Sequence, residues 1–142
     1  MLVFLDTNIL LDLLLEREPY CTPTAYLVSL ADKGKIRLSI SSLTVANANY
    51  TLSKRMGIGK ARLLLQNVCV LCAVTSVDEQ VIKKALFSKF EDTEDAIQYE
   101  SALSARADVI ITRNPKDFKH SELPTMDAQE FLTWYELNEK NN

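Results

Sequence analysis

Met1-Leu2-Val3-Phe4-Leu5-Asp6-Thr7-Asn8 opens the chain: five apolar residues, then a carboxylate, a hydroxyl and an amide in a row. A short continuous apolar run bounded by polar residues is the pattern of a strand buried on both faces. Asp, Thr and Asn favour helix starts, so the spacing predicts a strand over 2–5 followed at once by a leucine-rich helix over 8–16. In open α/β sheets ligands bind beyond the carboxyl ends of the strands, which puts Asp6 where chemistry is commonly done. Asp6 has a plainer reading as a helix cap. A strand-end carboxylate beside other carboxylates is costly without a cation, and that consideration favours a divalent-metal site.

Outward from this segment, strands and helices alternate. Helix 23–32 follows Pro19 and Pro23 and ends at Gly34, and 36–40 reads as a strand. Ser41 or Ser42 caps a helix reaching about Arg55, which Gly57 stops, and Gly59 starts another carrying Leu63, Leu64, Val68 and Leu71. A strand over 73–77 leads to a helix capped by Asp78, and Asp92 caps the next, from Thr93 to Ser104. Val109–Thr112 is a strand, a short one lies near Thr125, and a last helix surrounds Phe131 and Trp134, with Asn141 and Asn142 expected to fray. Strands separated by helices indicate an α/β fold: a three-layer α/β/α sandwich around a central, mainly parallel sheet. Residues 1–142 are read as one domain, long enough for a sizeable core.

The net charge of −3 excludes a protein that coats nucleic acid by bulk electrostatics, but a local basic rim around an acidic pocket remains compatible with it. Lys54, Arg55, Lys60 and Arg62, around the Gly57–Gly59 turn, are the candidates for such a rim, or else a solvated turn surface. No basic leader and no run of about 18 apolar residues occurs, so the expected location is the cytoplasm, with no membrane contact. Cys21, Cys69 and Cys72 lack framework spacing, and Cys69 and Cys72 are expected to be buried structural thiols. The single histidine, His120, lies in a polar loop and offers no acid–base pair.

Two further stretches are acidic. Asp92-Thr93-Glu94-Asp95 opens a helix, where Asp92 and Glu94 read chiefly as capping residues and Asp95 as one that caps while presenting its carboxylate. Thr112-Arg113-Asn114-Pro115-Lys116-Asp117-Phe118 runs off the Val109 strand. Asn114-Pro115 opens a turn, Phe118 should anchor the loop on the core and hold Asp117 near the strand ends, and Arg113 would steady these carboxylates or contact a phosphate.

Taken with Ile40-Ser-Ser-Leu-Thr-Val-Ala-Asn47-Ala-Asn-Tyr50, these motifs resemble the PIN domain family, in particular the single-domain VapC-type toxins of toxin–antitoxin pairs. The resemblance spans essentially the whole chain. It implies strand ends that gather acidic residues around Mg²⁺ or Mn²⁺ and cleave RNA endonucleolytically. It assigns Asp6 and Asp95 as metal-binding and catalytic residues and places the last acid on either Asn114 or Asp117. Asp117 is taken as that ligand with Asn114 as its neutral neighbour, and Thr7, Asn8, Thr112 and Arg113 in support. It also implies a homodimer and an antitoxin partner that covers the acidic site.

One position departs from the family. The acid usually carried by the third helix falls on Asn47, which brings an amide oxygen but no charge. The resemblance therefore leaves an active ribonuclease beside an attenuated module that binds RNA or protein without cutting. Asn49, on the stripe with Val45, Ala48 and Leu52, is expected to be a buried structural amide. Leu10, Leu11, Leu13, Leu14 and Leu15 exceed what one core face takes, which leaves a protomer contact, an antitoxin contact or burial on two sides. A phosphatase of the haloacid-dehalogenase type would need an acid where Asn8 stands, and no Lys-bearing Gly-rich loop is present.

Overall fold

The computed structural model describes residues 1–141; Asn142, half of the pair expected to fray, lies outside the described residues. The order is β1 (Leu2–Leu5), α1 (Thr7–Leu14), α2 (Cys21–Asp32), β2 (Arg37–Ser41), α3 (Ser42–Met56), α4 (Ile58–Leu71), β3 (Cys72–Thr75), α5 (Glu79–Leu86), α6 (Thr93–Ser104), β4 (Val109–Ile111), a short 3-10 helix (Pro115–Phe118), β5 (Thr125–Met126) and α7 (Ala128–Lys140). The five strands are all parallel, in the order β3-β2-β1-β4-β5. The α/β sandwich is therefore as expected, with the sheet wholly parallel.

Alternation along the central strands sorts the core into two layers. Val3 and Leu5 of β1, Leu38 and Ile40 of β2, and Val109 and Ile111 of β4 pack with residues of α1, α2, α3, α4 and α7. Leu2, Phe4 and Ile110 face the other way, against Tyr99 and Ala102 of α6 and Phe118. Phe118 is thus the loop anchor that the sequence indicated. In β2 the residues out of phase with Leu38 and Ile40 are Ser39 and Ser41, both buried, so this part of the sheet presents hydroxyls where β1 presents Phe4.

Helix starts follow local chemistry. The side chains of Asp6, Ser41, Asp78, Asp92 and Asp127 each accept from a backbone N–H in the first turn of the helix that follows. Gly57, at φ 91°, ends α3 in a conformation that side chains disfavour.

Two expectations are corrected. Asn49 is exposed: Thr44, Ala48 and Leu52 form the buried stripe at i, i+4, i+8, and Asn49 lies one residue, about 100°, off it. Cys69 is exposed for the same reason, one residue past Val68, and only Cys72 is buried, at the start of β3. The excess leucines are mostly absorbed within the chain. Leu10 and Leu11 are buried, and Leu14 and Leu15 pack against the same core half-buried. Among the described residues no helix is long and apolar enough to cross a membrane.

Candidate functional site

The chain runs from β1 to β2 and β3 on one side and places β4 and β5 on the other, so the strand order reverses between β1 and β4. A crevice at the carboxyl ends of such a pair is where doubly wound sheets bind ligands. Asp6 leaves β1 at this point and Thr112 leaves β4. The two ends are tied by the Asp6 N–H, which donates to the Ile111 carbonyl at 2.9 Å.

The Asp6 carboxylate is held on both oxygens. Oδ1 accepts from the Thr7 N–H at 2.8 Å and from Gln98 Nε2 at 3.2 Å, and Oδ2 accepts from Thr112 Oγ1 at 3.0 Å. Burial pushes its pKa up, and these donors oppose the shift. Gln98, carried by α6 and buried, is the hub of the arrangement. Its amide also donates to Thr7 Oγ1 at 3.1 Å and Thr44 Oγ1 at 2.7 Å, while its Oε1 accepts from Ser41 Oγ at 2.5 Å. The Ser41 hydroxyl that β2 turns toward α6 thus finds its partner there. A buried polar network of this kind fixes geometry because each broken link leaves an unsatisfied group.

Above this network lies a cavity of about 340 Å³ lined by Asp6, Thr7, Asn8, Asn47, Asp95 and Gln98, with Glu94 and Tyr50 also on its wall. Asp95 stands in the first turn of α6, its N–H bonded to Asp92 Oδ1 at 3.0 Å. Its pKa is raised to about 7, first by burial and then by the charges of Asp6, Asp92, Asp117 and Glu94. Asp95 also borders an adjoining cavity of about 350 Å³, whose wall includes Asp117, Lys116 and His120. Asp95 therefore joins the two, with Asp6 on one side and Asp117 on the other.

The remaining assigned residues are placed as follows. Thr112 is buried against Asp6. Asn114 is exposed and lies at the start of the 3-10 helix, where its carbonyl accepts from the Asp117 N–H at 3.0 Å. Arg113 turns away from the acidic cavity. It forms a two-pronged ion pair with Asp12 of α1, which is fully buried, and stacks on the Tyr20 ring at 4.1 Å. Asp12 also has Arg17 Nε at 3.1 Å. Gln98 and Thr44 carried no individual signal in the sequence, and Ser41 only that of a helix cap, since amides and hydroxyls have many ordinary uses.

The donors are hard oxygens, the set that suits Mg²⁺ or Mn²⁺. Among the described residues no three carboxylate, imidazole or thiol groups already stand within common reach of one ion. Mg²⁺ is commonly held by one or two carboxylates together with waters and substrate phosphates, and a cation would offset the like charges that surround the half-buried Asp95. The residues fit such an ion.

Residues 2–116 match the family described as PIN domain. No curated protein matches the sequence. Among solved structures, VapBC from Salmonella typhimurium bound to DNA aligns with TM-score 0.69 and 20% identity, over 90% of this chain and 99% of that one. VapBC2 from Rickettsia felis, bound to a DNA fragment from its promoter, aligns with TM-score 0.68 and 20% identity, over 89% and 98%. A toxin–antitoxin complex from Klebsiella pneumoniae aligns with TM-score 0.66 and 22% identity, over 89% and 97%. At these identities the likeness concerns the fold.

Proposed function

This chain belongs to the PIN domain family, and from that premise we propose that it is a metal-dependent endoribonuclease, the toxin of a toxin–antitoxin pair acting in the cytoplasm. The observation that carries the reading is the Asp6–Asp95 cavity at the reversal of strand order, built over the Gln98 network. A bound Mg²⁺ or Mn²⁺ would supply Lewis acidity, activating water and offsetting charge at the scissile phosphate. Asp6 and Asp95 would hold the ion from the first cavity, with Asp117 contributing from the adjoining one. Thr112, Thr7 and Gln98 keep the Asp6 carboxylate from rotating, so it would hold an ion without reorganising. Hydrolysis of this kind would leave a 5′-phosphate and a 3′-hydroxyl.

Tyr50 supports RNA as the substrate. Its ring is 63% exposed, lines the acidic cavity and has Lys54 Nζ at 4.2 Å from its centre. An exposed aromatic beside a cation is a surface on which an unpaired base stacks while the phosphate meets charge. It also borders a groove between α3 and α4 that carries Lys54 and Arg62, two members of the expected basic rim. The VapBC and toxin–antitoxin neighbours support an antitoxin partner for this chain; in this reading the partner covers the acidic cavity and brings an Arg to it. A homodimer completes the reading.

The test is cleavage of a mixed single-stranded and structured RNA pool in Mg²⁺, Mn²⁺ or EDTA. Cutting that requires metal and falls at least 100-fold in both Asp6→Asn and Asp95→Asn is the expected result. Metal-independent cutting, or activity that survives both substitutions, counts against it. RNA binding without cutting in any metal would favour the attenuated reading that Asn47 invites.

A further inference from the structure

Asn47 in α3 and Glu94 in the first turn of α6 meet on the wall of the acidic cavity, where Asn47 Nδ2 donates to Glu94 Oε1 at 2.9 Å. Glu94 is not needed to start α6, because Asp92 caps it. Among the described residues no cation pairs with Glu94. An exposed carboxylate with only a solubilising role is free to swing into water. This one is tied by an amide on the wall of the cavity that Asp6 and Asp95 also line. Holding like charges together costs free energy unless a cation sits among them.

We propose that Glu94 is a further carboxylate of the cation site and that Asn47 is the positioning residue that holds it over the cavity. The inference rests on the nuclease reading above. It gives Asn47 a role that a carboxylate at the same place could not fill, since a carboxylate would repel Glu94 whereas the amide N–H₂ donates to it. The charge missing from α3 is then supplied from α6 through one hydrogen bond.

The experiment is Mn²⁺ binding by titration calorimetry to the full chain, with melting in EDTA measured on the same samples. The proteins are wild type, Glu94→Gln, Asn47→Ala, the double variant and Asp6→Asn as the reference for a lost site. Glu94→Gln should weaken Mn²⁺ about tenfold and leave the EDTA melting temperature unchanged or higher, because a repulsive charge has gone. A merely structural role predicts the opposite pairing: lower melting temperature and unchanged affinity. Asn47→Ala should weaken binding by a similar factor in the wild-type background and by little in the Glu94→Gln background. Wild-type affinity in Glu94→Gln, with affinity lost in Asp6→Asn, overturns the role of Glu94 and leaves the nuclease reading standing. Weakening in Glu94→Gln alone removes Asn47 from the proposal. If the wild type binds no Mn²⁺, or Asp6→Asn binds it equally, the metal reading falls and this inference with it.

Discussion

Asp95 holds its proton up to about pH 7 because burial and the charges of Asp6, Asp92, Asp117 and Glu94 all oppose its ionisation. An unfolded aspartate titrates near pH ~3.9, so between these values the native chain binds more protons than the unfolded one. This contribution to stability is fully present below about pH 4 and is lost as the pH rises through about 7. The metal-free melting temperature should therefore fall between about pH 4 and 7, and Asp95→Asn should flatten that fall. Thermal melts in EDTA across this range check it, and parallel curves for the two proteins would rule Asp95 out as the titrating group. Asp6 and Asp95 could be picked out from sequence because each stands at a junction whose signals are local: the end of an apolar run, or the third residue after a capping Asp. Gln98 could not, since its partners Ser41 and Thr44 lie 57 and 54 residues away and converge only when β2 and α6 pack.

At the scale of elements, the ends of helices were readable and their neighbours were not. Asp78 and Asp92 announce α5 and α6 through bonds to residues three positions on, a distance that sequence displays directly. The partner of Arg113 is Asp12, 101 residues away, and the sequence offered Arg113 several nearer carboxylates. That pair ties α1 to the segment following β4, the two elements that bring Asp6 and Thr112 together. Asp12 is fully buried and takes two bonds from Arg113. Removing Arg113 leaves a buried charge with only Arg17 beside it. Arg113→Ala should cost about 3 kcal/mol of unfolding free energy by urea titration, and Arg113→Lys most of that, since one ammonium cannot reproduce a two-pronged contact. A midpoint unchanged in both would show that Arg17 alone satisfies Asp12.

Across the whole molecule, the alternation of strands and helices established a parallel sheet, whereas strand order required the fold. Apolar runs such as Leu2–Leu5 and Val109–Ile111 state that they are buried on both sides and do not state which strand lies beside which. The order β3-β2-β1-β4-β5 sets β1 against β4, and the acidic cavity follows from that adjacency. It also leaves α3 and α4 to form the groove that carries Lys54 and Arg62 away from the carboxylates. The chain has a net charge of −3, so the proposed ribonuclease reading requires that attraction for RNA come from this local arrangement. Binding of a single-stranded RNA to the Asp6→Asn variant should weaken with salt along a shallow line, because few phosphates are neutralised. Each contact to a single strand contributes a slope of about −0.7 in log K against log salt, so Lys54→Ala and Arg62→Ala should each make the line shallower by about that amount. Tyr50→Ala should instead lower affinity by roughly 1–3 kcal/mol at every salt concentration and leave the slope in place, since stacking releases no counterions. Slopes that survive both basic substitutions would take the RNA off this groove, and the strand would then have to reach the cavity past Lys116 and Lys119 beside Asp117.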